Sequence, residues 1–266
     1  MVAEHARAVG APTRGTTNPN RLRRVDRWLT GTQPVLDALR GFPDPLVVDL
    51  GYGRSPVTTV ELATRLRGVH AGVRVLGLEL DAERVAAAAR MASPPWLEFR
   101  RGGFELAGTR PALLRAFNVL RQYPEPDAAR AWSTMLAGLA PGGLLIEGTC
   151  DEIGRRCSWV LLSAHGPQSF TVSCKPSELR RPSDVAERLP KSLIHRNVEG
   201  ERVHAFLSEL DSCWAHAATH RPFGPRARWV ESVRLLAERG WPVHGDRRRW
   251  RLGELTVDWA CVTPDW

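Results

Sequence analysis

The stretch from Pro45 to Ser55, P-L-V-V-D-L-G-Y-G-R-S, constrains this chain more than any other. A short apolar run (Leu46, Val47, Val48) ends in an acid, Asp49, and two glycines follow at G-x-G spacing, Gly51 and Gly53. Ser55-Pro56 then opens an amphipathic helix, with Ser55 expected as its cap and Val57, Val60, Ala63 and Leu66 as its apolar stripe. An apolar run this short, bounded by turn residues, reads as a buried strand. Glycines after it let the backbone bend tightly and approach a ligand closely, so strand, turn and helix start form a cradle for a nucleotide-like molecule. A dinucleotide fingerprint asks for G-x-G-x-x-G. Here the third position is Pro56, and Asp49 stands where an apolar residue is usual.

With 266 residues, the chain suits one large α/β domain or a domain carrying an insertion. Apolar content of 43% and charged content of 25% are those of an ordinary globular protein. No run approaches the ~20 apolar residues of a membrane span. The N-terminus, M-V-A-E-H-A-R-A-V-G, lacks the apolar core of a secretory signal, so the expected location is the cytoplasm. The five cysteines form no C-x-x-C pair, which predicts free, mostly buried thiols and no structural metal. The net charge of +8 comes from arginine, since lysine occurs only at Lys175 and Lys191. Basic clusters at Arg21 to Arg27 and Arg247 to Arg251 make RNA a partner to weigh. Many basic enzymes, however, bind no nucleic acid.

Between residues 45 and 150 strands and helices alternate, which implies a parallel sheet covered on both faces. Strands are expected at Leu46, Val73 to Leu80, Leu97 to Arg101, Ala112 to Ala116 and Leu144 to Gly148. A helix capped by Asp81 and another over Asp127 to Leu139 connect them. The alternation is lost from Asp151 to Phe223, where a hairpin and two helices are expected. It returns with a helix from Pro225 to Arg239, a short strand at Trp241 to Val243 and a long alternating strand from Leu255 to Val262. Gly253-Glu254 is expected to turn that last strand against a strand at Trp250 to Leu252. Before the cradle, Arg21 to Leu29 reads as a short basic helix with Leu22, Val25, Trp28 and Leu29 on one face.

The acid-x-Gly-x-Gly form of Asp49, Gly51 and Gly53 resembles motif I of class I S-adenosylmethionine (SAM) dependent methyltransferases. Three further matches come in order along the chain: Glu79 ending the second strand, Gly102-Gly103-Phe104 after the third, and Ala140-Pro141-Gly142-Gly143 before the fifth. The resemblance covers residues 45–150 well and 225–266 more loosely. It implies a Rossmann-like fold, with a mostly parallel seven-stranded sheet, helices on both faces and an inserted α+β segment. The division implied is 1–44 as a helical cover, 45–150 as the SAM-binding core, 151–224 as a substrate lid, and 225–266 as the end of the core. SAM is the implied cofactor. Asp49, Gly51, Tyr52 and Gly53 would face its amino-acid portion. Glu79 would hold the ribose, since a carboxylate accepts two hydroxyl hydrogen bonds. Gly103, Phe104 and Asn118 would complete the cofactor set, although the aspartate the family often has after Gly102 is missing here.

Arg115 and Phe117, at the mouth of the fourth strand, and His195, in the insertion, are the candidate substrate-facing residues. Methyl transfer from a sulfonium needs alignment of the acceptor at ~3–3.5 Å and exclusion of water. A base is required only where the nucleophile must lose a proton. Glu147, Glu152, Tyr123 and His195 are candidates, with Asp151, just beyond the fifth strand, named first. The text after the fourth strand, F-N-V-L, lacks the N/D-P-P-Y/F motif of amino-methylating enzymes, and Thr149-Cys150 only partly echoes a cytosine-5 nucleophile. The reading that results is methyl transfer to an O or N atom of an unidentified acceptor, a small molecule first. RNA methylation with the same SAM site, or a SAM-fold protein that binds without catalysis, are the alternatives. A nicotinamide-dependent dehydrogenase is disfavoured by Asp49 and the absent third glycine.

Overall fold

The computed structural model of the chain describes residues 8–11 and 17–264. Of the expected 1–44 cover, residues 1–7 and 12–16 therefore lie outside the described residues. The chain divides into two compact units. One comprises residues 1–147, 152–154 and 162–166; the other comprises 148–151, 155–161 and 167–266.

The first unit opens with two short helices, α1 (Arg23–Leu29) and α2 (Gln33–Arg40). Next along the chain come β1 (Leu46–Leu50), α3 (Val57–Arg67), β2 (Arg74–Glu79), α4 (Ala82–Ala88), β3 (Leu97–Arg101), β4 (Leu113–Phe117) and α5 (Glu125–Ala137). Strand β5 (Leu144–Cys150) begins in this unit and ends in the other. The strand order is β3-β2-β1-β4-β5. Its parallel registers include Asp49 opposite Gly77, Asp49 opposite Arg115, and Glu79 opposite Arg101. Every residue of β4 and β5 is buried, which requires cover on both faces. This is the expected Rossmann-like α/β arrangement. Sequence order reverses direction between β1 and β4, and such a switch point opens a crevice beyond the strands' carboxyl ends.

Local chemistry accounts for most of the element starts. Asp81 caps α4 as expected, its carboxylate accepting the Glu83 and Arg84 amides at 2.9 and 3.2 Å. Ser55 does not cap α3: the helix starts after Pro56, and Ser55 Oγ lies 3.4 Å from the Val57 nitrogen. Leu22, Val25, Trp28 and Leu29 are buried, as their spacing implies. So is Asp26 on the same helix, because Arg65 and Arg115 meet its carboxylate.

The second unit contains β6 (Arg156–Ser163), β7 (Gly166–Cys174), α6 (Lys191–Ile194), α7 (Arg202–His216), α8 (Pro225–Glu238), β8 (Val243–His244), α9 (Arg247–Trp250) and β9 (Glu254–Asp258). The two ends of the hairpin strands, 162–163 and 166, fall in the first unit. The order is β6-β7-β9-β8, and β9 runs antiparallel to both β7 and β8. Nine strands are therefore present among the described residues, not seven. The expected long last strand stops at Asp258, where its ladder with β7 ends opposite Ser169, and a 3₁₀ turn succeeds it. The strand expected near Trp250 is helix α9 instead. Asp246 caps it through the Arg248 and Arg249 amides at 2.9 and 3.1 Å. Among the described residues no helix is long and apolar enough to cross a membrane.

Candidate cofactor site

A hollow of about 260 Å³ lies beyond the carboxyl ends of β1 to β4 in the first unit. Each strand contributes residues at or just past its carboxyl end: Leu50 and Gly51 from β1, Glu79 and Leu80 from β2, Gly102 to Phe104 from β3, Val119 and Tyr123 from β4. Residues 9–11 complete the wall. Of the sequence-predicted cofactor residues, Gly51, Glu79, Gly103 and Phe104 line this space; Asp49, Tyr52, Gly53 and Asn118 do not.

The bend after β1 depends on its glycines, with φ of +70° at Gly51 and +79° at Gly53, where a side chain would be strained. Gly51 donates its amide to the Leu78 carbonyl at 2.8 Å, pinning the bend to β2. Gly53 donates to Glu79 Oε2 at 2.9 Å, while the Leu80 amide reaches Oε1 at 2.9 Å. Arg84 approaches Oε2 at 3.5 Å. Glu79 is 1% exposed, so these partners are what make its burial tolerable. A carboxylate has about four acceptor sites: the Gly53 and Leu80 amides take one on each oxygen, and the Asp81 amide, 3.4 Å from Oε1, and Arg84 approach the others more loosely.

Asp49 works beneath the bend. Arg115 donates to it twice, at 2.8 Å from Nε and 2.7 Å from Nη2, and Thr59 Oγ1 donates at 2.6 Å. Arg115 also pairs with Asp26 and donates to the Thr58 carbonyl at 3.0 Å. Burial alone would pull the guanidinium down, but Asp49 and Asp26 hold it above its ordinary value. Arg115 is 0% exposed, which corrects its assignment as a substrate-facing group: it ties α1, β1 and α3 to β4. Phe117 is likewise buried. Asn118 turns the chain after β4 with a φ of +59°, a conformation asparagine tolerates better than most residues.

The Tyr52 ring points inward against Phe99, 5.4 Å between centroids, and its hydroxyl has no hydrogen-bond partner among the described residues. Burial first, then the charge of Glu79, raises that hydroxyl above its ordinary value. Tyr52 therefore supports the bend from below, and its backbone carbonyl accepts from Thr17 Oγ1 at 2.8 Å.

Two residues join the site from outside the expected cofactor set. Glu105 accepts the Gly103 amide at 2.7 Å and the Val9 amide at 2.8 Å, which puts a carboxylate where the motif after β3 lacks its aspartate. Tyr123, expected only as a base, lines the hollow with its ring tilted on Phe104 at 5.4 Å. An acid one residue past Phe104 was the available signal for Glu105.

Asp151 and His195 belong to the second unit. The Asp151 carboxylate accepts the Arg155 and Arg156 amides at 2.8 and 3.0 Å, holding the turn that precedes β6. His195 is exposed at the end of α6.

No protein-family model and no curated protein matches this chain. It is similar to solved structures. One is a putative type II methyltransferase from Anaeromyxobacter dehalogenans, 16% identical over 51% of this chain and 50% of that one, TM-score 0.36. Another is human N-acetylserotonin methyltransferase in complex with SAM, 19% identical over 50% of this chain and 39% of that one, TM-score 0.33. A third is magnesium protoporphyrin IX methyltransferase from Synechocystis PCC 6803 with bound SAM, 20% identical over 53% and 67%, TM-score 0.36. The chain spans half or less of the length of the first two.

Proposed function

We propose that the chain is a SAM-dependent methyltransferase whose cofactor binds in the hollow beyond β1 to β4. The observation carrying this reading is the convergence of Gly51, Glu79 and Gly103-Phe104 on one crevice at the switch point of the parallel strands. Crevices of that kind are where open α/β sheets bind ligands. In this reading the Gly51 bend seats the amino-acid portion, Glu79 accepts the ribose hydroxyls, and Phe104 with Glu105 meets the adenine. Phe104 and Tyr123 supply apolar surface that excludes water from the sulfonium. Bound SAM supplies an activated methyl group, and the protein's task is to hold an acceptor oxygen or nitrogen in line with it.

Glu79→Gln would replace an acceptor oxygen with a donor, and losing hydrogen bonds to a charged group weakens binding by about tenfold or more. Calorimetric titration with SAM, its demethylated product S-adenosylhomocysteine, and NAD tests the assignment. Binding of the first two and not NAD is expected; NAD binding alone would reject it.

The acceptor proposed is a small molecule. The exposed Arg247, Arg248 and Arg251 of the second unit favour RNA as the second reading. Radiolabelled methyl transfer into fractionated metabolites, RNA and protein separates the two. RNA affinity falling steeply with salt would favour the second. Asp151 remains the proposed base beside its turn-holding role; full single-turnover transfer by Asp151→Ala would remove it.

A further inference from the structure

Residues 8–11 run across the part of the hollow formed after β3, and backbone atoms hold them there. The Phe104 amide donates to the Val9 carbonyl at 2.9 Å, and the Val9 amide donates to Glu105 Oε2 at 2.8 Å. Two residues on, the Ala11 amide meets the Tyr123 hydroxyl, and Gln122 Nε2 donates to the Ala11 carbonyl at 2.9 Å. Gly10, at a φ of +134°, sits between them. A Cβ there would stand 3.1 Å from Tyr123 Oη, 3.2 Å from Leu80 Cδ1 and 3.6 Å from Phe104 Cε2. Gly103 lies flat under the strap: a Cβ on it would come within 1.9 Å of the Val9 oxygen. The Val9 side chain is 48% exposed, so it contributes little to this docking.

The pattern of these contacts has a chemical meaning. Val9 offers one donor and one acceptor side by side, met by a carboxylate and an amide N–H. The Watson–Crick edge of adenine offers the same pair, an amino donor at N6 and an acceptor at N1. With the strap in place, Val9, Gly10 and Ala11 themselves line the hollow beside Gly103 and Phe104. Both groups that could read adenine are then already occupied.

We infer that residues 8–11 are an intramolecular competitor for the adenine end of this site, which the cofactor must displace in order to bind. The inference rests on the SAM reading above. The docked strap lowers apparent affinity by the fraction of molecules in which the site is open. Docking through a few partly exposed hydrogen bonds, set against the entropy of ordering four residues, makes that fraction small but not negligible.

Gly10→Val tests this in the full chain. A β-branched residue at this φ and in this space strains the docked strap, and it leaves Phe104, Glu105 and Glu79 unchanged. Titration with S-adenosylhomocysteine should show roughly tenfold tighter binding by Gly10→Val than by the parent chain, if about a tenth of parent molecules are open. Adding S-adenosylhomocysteine to the parent chain should also speed hydrogen exchange at the Val9 and Ala11 amides. Equal or weaker binding by Gly10→Val, with exchange at Val9 and Ala11 unchanged or slowed, would make the strap a wall of the site. That result would overturn the competitor while leaving the SAM reading intact. Failure of both chains to bind S-adenosylhomocysteine would overturn the SAM reading and the competitor together.

Discussion

Glu147, on β5, is a buried carboxylate, 1% exposed. Burial pushes its carboxyl up to about 8, with the Trp132 indole offsetting part of the shift. The folded chain therefore holds a proton that the unfolded chain releases near 4.5. Stability from this group is fully present below that pH and is lost as pH rises toward 8, with a slope of up to about 1.4 kcal/mol per pH unit. Glu147→Gln should flatten that decline in urea midpoints measured between about pH 5 and 8, which brackets the expected window; an unchanged slope would place the titration elsewhere. Arg115 presents the opposite case, a buried charge whose partners are also charged. Arg115→Ala leaves Asp49 without its cation, with the Thr59 hydroxyl still donating to it, and strips one of the two arginines from Asp26, and should cost about 3–5 kcal/mol in denaturant unfolding at neutral pH. The sequence marked Arg115 only as a residue at a strand mouth. Its role required knowing that Asp26, 89 positions away, would reach the same point.

Among the elements, β2 is held to a narrow shape. Gly77 lies opposite Asp49 on one side and Phe99 on the other. A Cβ there would stand 2.6 Å from the Phe99 ring and 3.1 Å from Tyr52. Gly77→Ala should therefore cost about 1–3 kcal/mol in thermal or urea unfolding through overpacking. Because Tyr52 lies in the bend that Glu79 ties down, the same substitution should weaken S-adenosylhomocysteine binding in titration. Elements with strong local signals were legible: β1 and β3 start where their apolar runs start, and Asp81 caps α4. Elements whose limits depend on a partner were not. The apolar alternation of Leu255, Val257, Trp259 and Cys261 continues past Asp258, where the ladder with β7 stops opposite Ser169 and a 3₁₀ turn takes over. Trp250 had an aromatic residue's strand preference, but Asp246 supplied a helix cap just before it, and the cap won.

At the scale of the molecule, every residue lining the hollow belongs to the first unit. S-adenosylhomocysteine should therefore slow hydrogen exchange mainly in β1 to β4 and the turns beyond them, with the strap moving the other way. A roughly hundredfold excess over Kd should stabilise the binding-competent fold by about 2.7 kcal/mol, read as a raised unfolding midpoint that NAD does not reproduce. The sequence by itself determined the order of the parallel strands' chemistry: a glycine bend after the first, an acid after the second, glycines after the third. Those features act through neighbours a few residues away, so local spacing carries them. Tertiary structure alone decided which of those groups face the hollow. It turned Asp49 and Arg115 inward to neutralise each other, and laid residues 8–11 across the site, where the Val9 amide meets Glu105. Each of these contacts joins residues distant in the chain through a hydrogen bond or ion pair, and no local pattern encodes which distant partner a buried charge will find.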